Sequence, residues 1–99
     1  MERKKVSAGE PHLNKEIGVY IVECADGSLY PGWTNDMDAR LIAHNEGLGA
    51  KYTRSRRPVR LVYWQPCESK SAALKREREI KDMNRAEKLS LIEKMGELV

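Results

Sequence analysis

The stretch GVYIVECADGSLYPG, residues 18–32, decides the fold because it holds two strand signals with a tight turn between them. Its first half is rich in β-branched and aromatic residues and predicts a strand. ADGS supplies the turn, with Asp26-Gly27 as the preferred hairpin dipeptide, and SLYPGW is the returning strand. Pro31 cannot donate to a neighbouring strand, so the returning strand should be an edge, bulged or short at that point. This hairpin carries Tyr20 and Tyr30.

The rest of the chain alternates helix and strand signals. Residues 34–47 open with capping residues and close at Gly47, which predicts a helix. VRLVYWQ at 59–65 predicts a third strand. Ser69 or Ser71 can cap a second helix that runs to about Met83, and Asn84 begins a third. The order β-β-α-β-α-α predicts an α/β or α+β domain, a small three-stranded sheet flanked by helices.

Length and composition limit the class of protein. The 99 residues suit one domain at 16–99, preceded by a polar arm at 1–15 that we expect to be flexible. No apolar run approaches the ~18 residues that span a bilayer, and the basic start resembles no secretory signal. We therefore expect a cytoplasmic protein without membrane association or an obligate protein partner. Cys24 and Cys67 form no CxxC pair and are expected to be ordinary thiols.

The net charge of +3 is concentrated in one segment. No acidic residue occurs between Glu46 and Glu68, and this interval holds five basic residues: Lys51, Arg54, Arg56, Arg57 and Arg60. Such a tract is the electrostatic footprint of a nucleic-acid backbone partner, because each cation can neutralise a phosphate and release a counterion. A solvated loop is the alternative. Tyr52 lies among these charges and adds a ring that could stack on a base.

Two polar side chains border the apolar face of the first predicted helix. Met37, Leu41 and Ile42 should define its buried side, and Arg40 and His44 lie one turn apart beside them. One interpretation is a snorkelling arginine with an ordinary flanking histidine. The other is a guanidinium that binds a phosphate, with an imidazole one turn away that exchanges a proton near neutral pH.

Glu77 falls on the apolar stripe that Ala73, Leu74 and Ile80 mark in the second predicted helix. A carboxylate on the core side is costly unless it is paired, hydrogen-bonded or bound to a metal. A salt bridge to an arginine is one explanation. The other is a hard-cation site, since Mg²⁺ is commonly held by one carboxylate together with waters and substrate phosphate oxygens.

Taken in order, these residues resemble the GIY-YIG endonuclease domain, and more closely its small stand-alone bacterial members. GVY at 18–20 stands at the family's first tripeptide and YPG at 30–32 at its second. Arg40, His44, the GAKYTR loop at 49–54 and an AALKRE helix segment at 72–77 follow in the family's order. The resemblance runs from about residue 18 to residue 92.

The resemblance implies a metal-dependent DNA endonuclease, structure-directed or weakly sequence-specific, with DNA repair or recombination as its setting. Tyr20 and Tyr30 would position or deprotonate the attacking water, and Arg40 would bind the scissile phosphate. His44 would assist proton transfer, and Glu77 would hold one divalent cation, Mg²⁺ or Mn²⁺. The basic loop would hold DNA through Lys51, Tyr52, Arg54, Arg56 and Arg57. Asn84 matches an asparagine that relatives use, although a helix-capping role explains it equally well.

One departure from the family pattern bears on catalysis. Pro31 stands where the family has isoleucine, and it could shift Tyr30 enough to weaken the reaction. The sequence therefore leaves two functions open: a DNA endonuclease, or a catalytically weak or inactive nucleic-acid-binding module of the same fold. A zinc site from Cys24, Cys67, His12 and His44 is a third idea, and their spacings fit no compact ligand pattern.

Overall fold

The computed structural model describes residues 16–97. The predicted N-terminal arm at 1–15, which includes His12, lies outside the described residues. Within the described range the chain forms β1 (Gly18–Glu23), β2 (Leu29–Thr34), α1 (Met37–Asn45), α2 (Lys51–Arg54), β3 (Arg60–Pro66), α3 (Lys70–Lys81) and α4 (Arg85–Glu97). The predicted fold class and element order are confirmed, with the four-residue α2 added inside the predicted basic loop.

The hairpin forms one side of an antiparallel sheet whose strand order is β2-β1-β3. The β1–β2 register runs without interruption from Gly18 opposite Thr34 to Glu23 opposite Leu29. Pro31 therefore lies on an edge strand, as predicted, and causes no slip between Tyr30 and its partners. The irregularity lies instead between β1 and β3, at Ile21 and Val22.

The turn between β1 and β2 is built as its sequence predicts. The Gly27 N–H donates to the Cys24 carbonyl at 2.9 Å, and the Asp26 carboxylate accepts from the Ser28 N–H at 3.0 Å. Gly27 has a φ of 86°, a left-handed conformation that glycine adopts without the Cβ clash other residues meet. The turn thereby fixes which residues of β1 and β2 face each other.

The central strand is buried on both faces, so successive side chains enter two different cores. Val19 and Ile21 pack with Ala73 and Ile80 of α3 and with the apolar side of α4. Tyr20 and Val22 point the opposite way and pack with a second set: Cys24, Val59, Tyr30, Met37, Leu41, Leu61 and Trp64. Tyr20 therefore lies in the layer between the sheet and α1.

Two expectations about the helix faces are wrong in part. Ile42 is 56% exposed, whereas His44 is 1% exposed and is the one fully buried residue of α1. Leu74 is also largely exposed, although Ala73 and Ile80 are fully buried. Both stripes lie slightly rotated from the pattern that the apolar residues alone suggest.

No helix among residues 16–97 is long and apolar enough to cross a membrane.

Candidate active site

A chain of three hydrogen bonds runs through the layer between the sheet and α1. The Tyr20 hydroxyl lies 2.9 Å from His44 Nε2, and His44 Nδ1 lies 2.8 Å from Thr53 Oγ1. The Thr53 hydroxyl donates in turn to the Ala50 carbonyl at 3.0 Å. Because β1, α1 and α2 each contribute one member, the chain forms only when all three elements are in place.

Two glycines give the buried rings of this chain their space. A Cβ added to Gly32 would lie 2.5 Å from the Tyr20 hydroxyl oxygen, and one added to Gly49 would lie 2.9 Å from Cε1 of the His44 ring. Real Cβ atoms essentially never approach other atoms so closely. The last residue of the YPG tripeptide and the first of GAKYTR therefore leave room for Tyr20 and His44.

Tyr30 is held against the same histidine from the edge strand. Its ring meets His44 edge-on, with centroids 5.9 Å apart, and stacks on Tyr52 at 5.6 Å with an interplanar angle of 16°. The Arg56 guanidinium lies 3.8 Å from the centroid of the Tyr52 ring. Tyr52 therefore already has two stacking partners within the protein.

Arg40 and Glu77 bring opposite charges to this cluster. Burial raises the pKa of Tyr20 far above its ordinary value; the Arg40 charge opposes this, while Tyr30 and Glu77 add to it. Burial, and then the Arg40 charge, lower the pKa of His44 below its ordinary 6.5. Both groups are therefore neutral at pH 7, and Tyr20 is a phenol rather than a tyrosinate.

The order of these residues along the chain matches a known catalytic domain. The sequence model of the GIY-YIG catalytic domain matches residues 16–90. The chain belongs to the GIY-YIG family. A UPF0213 protein of Staphylococcus saprophyticus is 58% identical over 74 residues, which are 75% of this chain and 90% of that protein. A UPF0213 protein of Staphylococcus aureus is 61% identical over the same length, with the same shares.

Two solved structures support the GIY-YIG assignment. The solution NMR structure of a UPF0213 protein from Bacillus halodurans is 46% identical and has a TM-score of 0.52, over 79% of this chain and 83% of that one. The solution NMR structure of a protein from E. faecalis is 36% identical with a TM-score of 0.57, over 97% and 92%. The predicted resemblance to small stand-alone bacterial GIY-YIG proteins is thus confirmed.

The basic residues between 51 and 57 divide into two groups. Arg56 pairs with Asp26 at 3.1 Å and donates to the Tyr52 carbonyl, and Arg57 donates to the Arg54 carbonyl at 2.8 Å. These two guanidinium groups hold the loop together. The side chains of Lys51 and Arg54 are exposed and form no hydrogen bond or ion pair with other residues that the structure describes.

Glu77 is the acidic side chain whose charge contributes to the raised pKa of Tyr20. Its side chain is only 16% exposed, and its carboxylate lies 3.5 Å from the Lys81 ammonium rather than beside an arginine. Within residues 16–97 no three metal-ligating side chains cluster. A hard oxygen donor of this kind suits Mg²⁺ or Mn²⁺ held mainly by water and substrate oxygens.

Asn84 lies at the start of α4 and forms a reciprocal capping box. Its N–H donates to the Glu87 carboxylate at 2.9 Å, and its side-chain oxygen accepts from the Glu87 N–H at 2.8 Å. This arrangement satisfies two backbone donors at the helix end. The cap therefore accounts for Asn84, and a direct role in the site stays a prediction.

Thr53 and Gly49 are the site residues that sequence reasoning missed. Both lie in the GAKYTR segment, which its charge pattern marked as a nucleic-acid contact rather than as part of the buried cluster. A polar residue that packs with 0% exposure gives no sequence signal of its own. The only signal available was the position of a small residue and a hydroxyl beside the basic ones.

Proposed function

We propose that this GIY-YIG domain is a metal-dependent endonuclease that hydrolyses phosphodiester bonds in DNA. The observation that carries the proposal is the Tyr20–His44 hydrogen bond of 2.9 Å, with Tyr30 packed edge-on against His44 and the charges of Arg40 and Glu77 acting on the pKa of Tyr20. Phosphodiester hydrolysis needs a group that takes a proton from water, a cation that binds the phosphate and a site for a divalent ion. These residues supply each of the three.

The proton path begins at a neutral tyrosine. The Tyr20 hydroxyl can take a proton from the attacking water only while it passes its own proton to His44, because burial keeps its pKa high. His44 Nε2 is already in hydrogen-bond contact with that hydroxyl. Tyr30, packed edge-on against His44, would help position the water.

Charge stabilisation falls to Arg40 and Glu77. The Arg40 guanidinium is exposed and makes no hydrogen bond or ion pair with other described residues, so its planar set of donors is free to bind a phosphate. Glu77 would hold one Mg²⁺ or Mn²⁺. When bound, that ion polarises the phosphoryl oxygen and stabilises charge on the departing oxygen.

The substrate is DNA whose shape, rather than base sequence, is recognised. Lys51 and Arg54 would hold the phosphate backbone, since phosphate contacts position a protein on nucleic acid without reading bases. The described residues add no further reading element to the catalytic fold. We therefore propose a structure-directed or weakly sequence-specific enzyme that acts in DNA repair or recombination.

The deciding experiment compares cleavage of labelled single-stranded, duplex and branched DNA with Mg²⁺, with Mn²⁺ and with EDTA. Glu77→Gln should lose at least about a hundredfold in rate while it keeps its fold, because the cation site is removed. Glu79→Gln is the matched control on the same helix, since Glu79 pairs with Arg76 and is not among the charges that shift the pKa of Tyr20. Salt-sensitive DNA binding without any cleavage would overturn the nuclease proposal and favour the binding module.

A further inference from the structure

The direction of the hydrogen bonds around Thr53 can be worked out from their partners. A carbonyl oxygen cannot donate, so the bond to the Ala50 carbonyl uses the single proton of the Thr53 hydroxyl. Thr53 Oγ1 must then accept from His44, which puts the proton of the neutral imidazole on Nδ1. Nε2 then carries no proton, and the Tyr20 hydroxyl donates to it.

The opposite tautomer makes a poorer network. With the proton on Nε2, His44 would donate to Tyr20 and Thr53 would donate to Nδ1. The bond from Thr53 to Ala50 would then be lost, and the Tyr20 proton would need a different acceptor. Two of these hydrogen bonds would remain instead of three. Water cannot easily replace the lost bond to Ala50, because Thr53 is 0% exposed.

We propose that Thr53 is a positioning residue that fixes His44 in the Nδ1–H tautomer, so that Nε2 is always the acceptor of the Tyr20 proton. The tautomer of His44 follows from the hydrogen-bond geometry alone, whereas its role in proton transfer rests on the proposed nuclease function. Gly49 supports the same arrangement, since an added Cβ would clash with the imidazole at Nδ1, the atom that bonds Thr53. The GAKYTR segment therefore orients the base in addition to contacting DNA.

The catalytic step balances in protons and bonds. The attacking water gives a proton to the Tyr20 oxygen, the Tyr20 proton moves to Nε2, and the new imidazolium keeps its Nδ1–H bond to Thr53. The hydroxide forms a bond to phosphorus while the bond from phosphorus to the leaving oxygen breaks, and the leaving oxygen takes a proton from solvent. His44 then returns its extra proton from Nε2 to the Tyr20 oxygen, and the Tyr20 hydroxyl releases one to solvent, so that one water is consumed.

The test reads the tautomer directly, from the ¹⁵N resonances of the His44 ring in the full chain without DNA or metal. We expect a protonated Nδ1 in the wild type and in Thr53→Ser, and a shift toward Nε2–H in Thr53→Val, which keeps the shape but removes the acceptor. Thr34→Val is the matched control, because Thr34 is also buried and its hydroxyl bonds Asp36 rather than His44.

Cleavage assays test the role in proton transfer. Thr53→Val should lower kcat by roughly ten- to a hundredfold, part of what a positioned base supplies, with KM for DNA unchanged and activity restored in Thr53→Ser. An Nε2–H tautomer in the wild type overturns the inference even if Thr53→Val does not fold, and so does an unchanged tautomer in that variant. A wild type that never cleaves DNA but shows the Thr53-dependent tautomer would overturn the nuclease function and leave the positioning role.

Discussion

At the scale of single residues, the site depends on two glycines, because a Cβ at either position would clash with a buried ring. Gly32 sits against the Tyr20 ring, and Gly49 sits against the His44 ring. The YPG tripeptide therefore needs its glycine for close packing, whereas its proline is tolerated because β2 is an edge strand. Gly32 is thus required by close packing, and Pro31 is allowed by the position of β2 at the edge of the sheet.

Gly32→Ala tests this packing. The added Cβ would lie 2.5 Å from the Tyr20 hydroxyl oxygen, so the buried ring or the strand would have to shift. We expect a loss of about 1–3 kcal/mol in the free energy of unfolding, measured in urea, and a fall in kcat as Tyr20 moves. Gly27→Ala is the control, since its Cβ would meet open space and only its positive φ adds strain, about 1 kcal/mol. Gly27→Ala should leave kcat unchanged, and an unchanged kcat in Gly32→Ala would refute the close contact.

At the scale of elements, the segment from α1 to β3 both ties neighbouring elements together and carries exposed basic side chains. Asn45 clamps the start of β3, with its side chain bonded to both the N–H and the carbonyl of Val59. Arg56 ties α2 to the hairpin turn through Asp26. Three of the five basic residues, Arg56, Arg57 and Arg60, thus bond within the protein, whereas the Lys51 and Arg54 side chains bond no other described residue.

Salt dependence of DNA binding separates these two groups. The double variant Lys51→Ala/Arg54→Ala should weaken binding to all sequences and lower the slope of log K against log salt by about 2, because two phosphate contacts are lost. Arg57→Ala/Arg60→Ala removes the same charge from side chains that bond within the protein. It should lower the melting temperature with little change in slope. Equal slopes in the two double variants would remove Lys51 and Arg54 from the interface.

At the scale of the whole molecule, a buried neutral histidine makes stability depend on pH. The folded protein keeps the pKa of His44 below 6.5, whereas the unfolded chain protonates this ring as pH falls through that value. The unfolded state then binds more protons, so the free energy of unfolding decreases on acidification below about pH 6.5. The hydrogen bonds from Ser28 also lower the pKa of Asp26, but its window lies below the ordinary 3.8.

Urea unfolding followed by tryptophan fluorescence at about pH 7.5 and about pH 5.5 measures this effect. The wild type should lose stability between them, by at most about 1.4 kcal/mol per pH unit, and His44→Gln should lose clearly less. His12→Gln removes the other histidine of the chain and separates its contribution. A pH dependence that disappears with His12 rather than His44 would contradict the assignment.

Local rules recovered the elements because hairpins, caps and edge strands depend on neighbours in the chain. The Asp26-Gly27 turn, the Asn84–Glu87 box and the Pro31 edge all follow from interactions over a few residues. The helix faces were predicted less well. Ile42 and His44 exchange their expected places, because the rotation of α1 about its axis is set by what the sheet and α2 leave to be filled.

The sequence by itself determined the order of strands and helices, the family, and the candidates Tyr20, Tyr30, Arg40, His44 and Glu77. Only the tertiary structure decided that Thr53 bonds His44, that Lys81 neighbours Glu77, and that Arg56 and Arg57 are used inside the loop. The physical reason is the distance along the chain over which each interaction acts. Propensity and capping act over a few residues, whereas hydrogen-bond direction and charge pairing join side chains that only packing brings together.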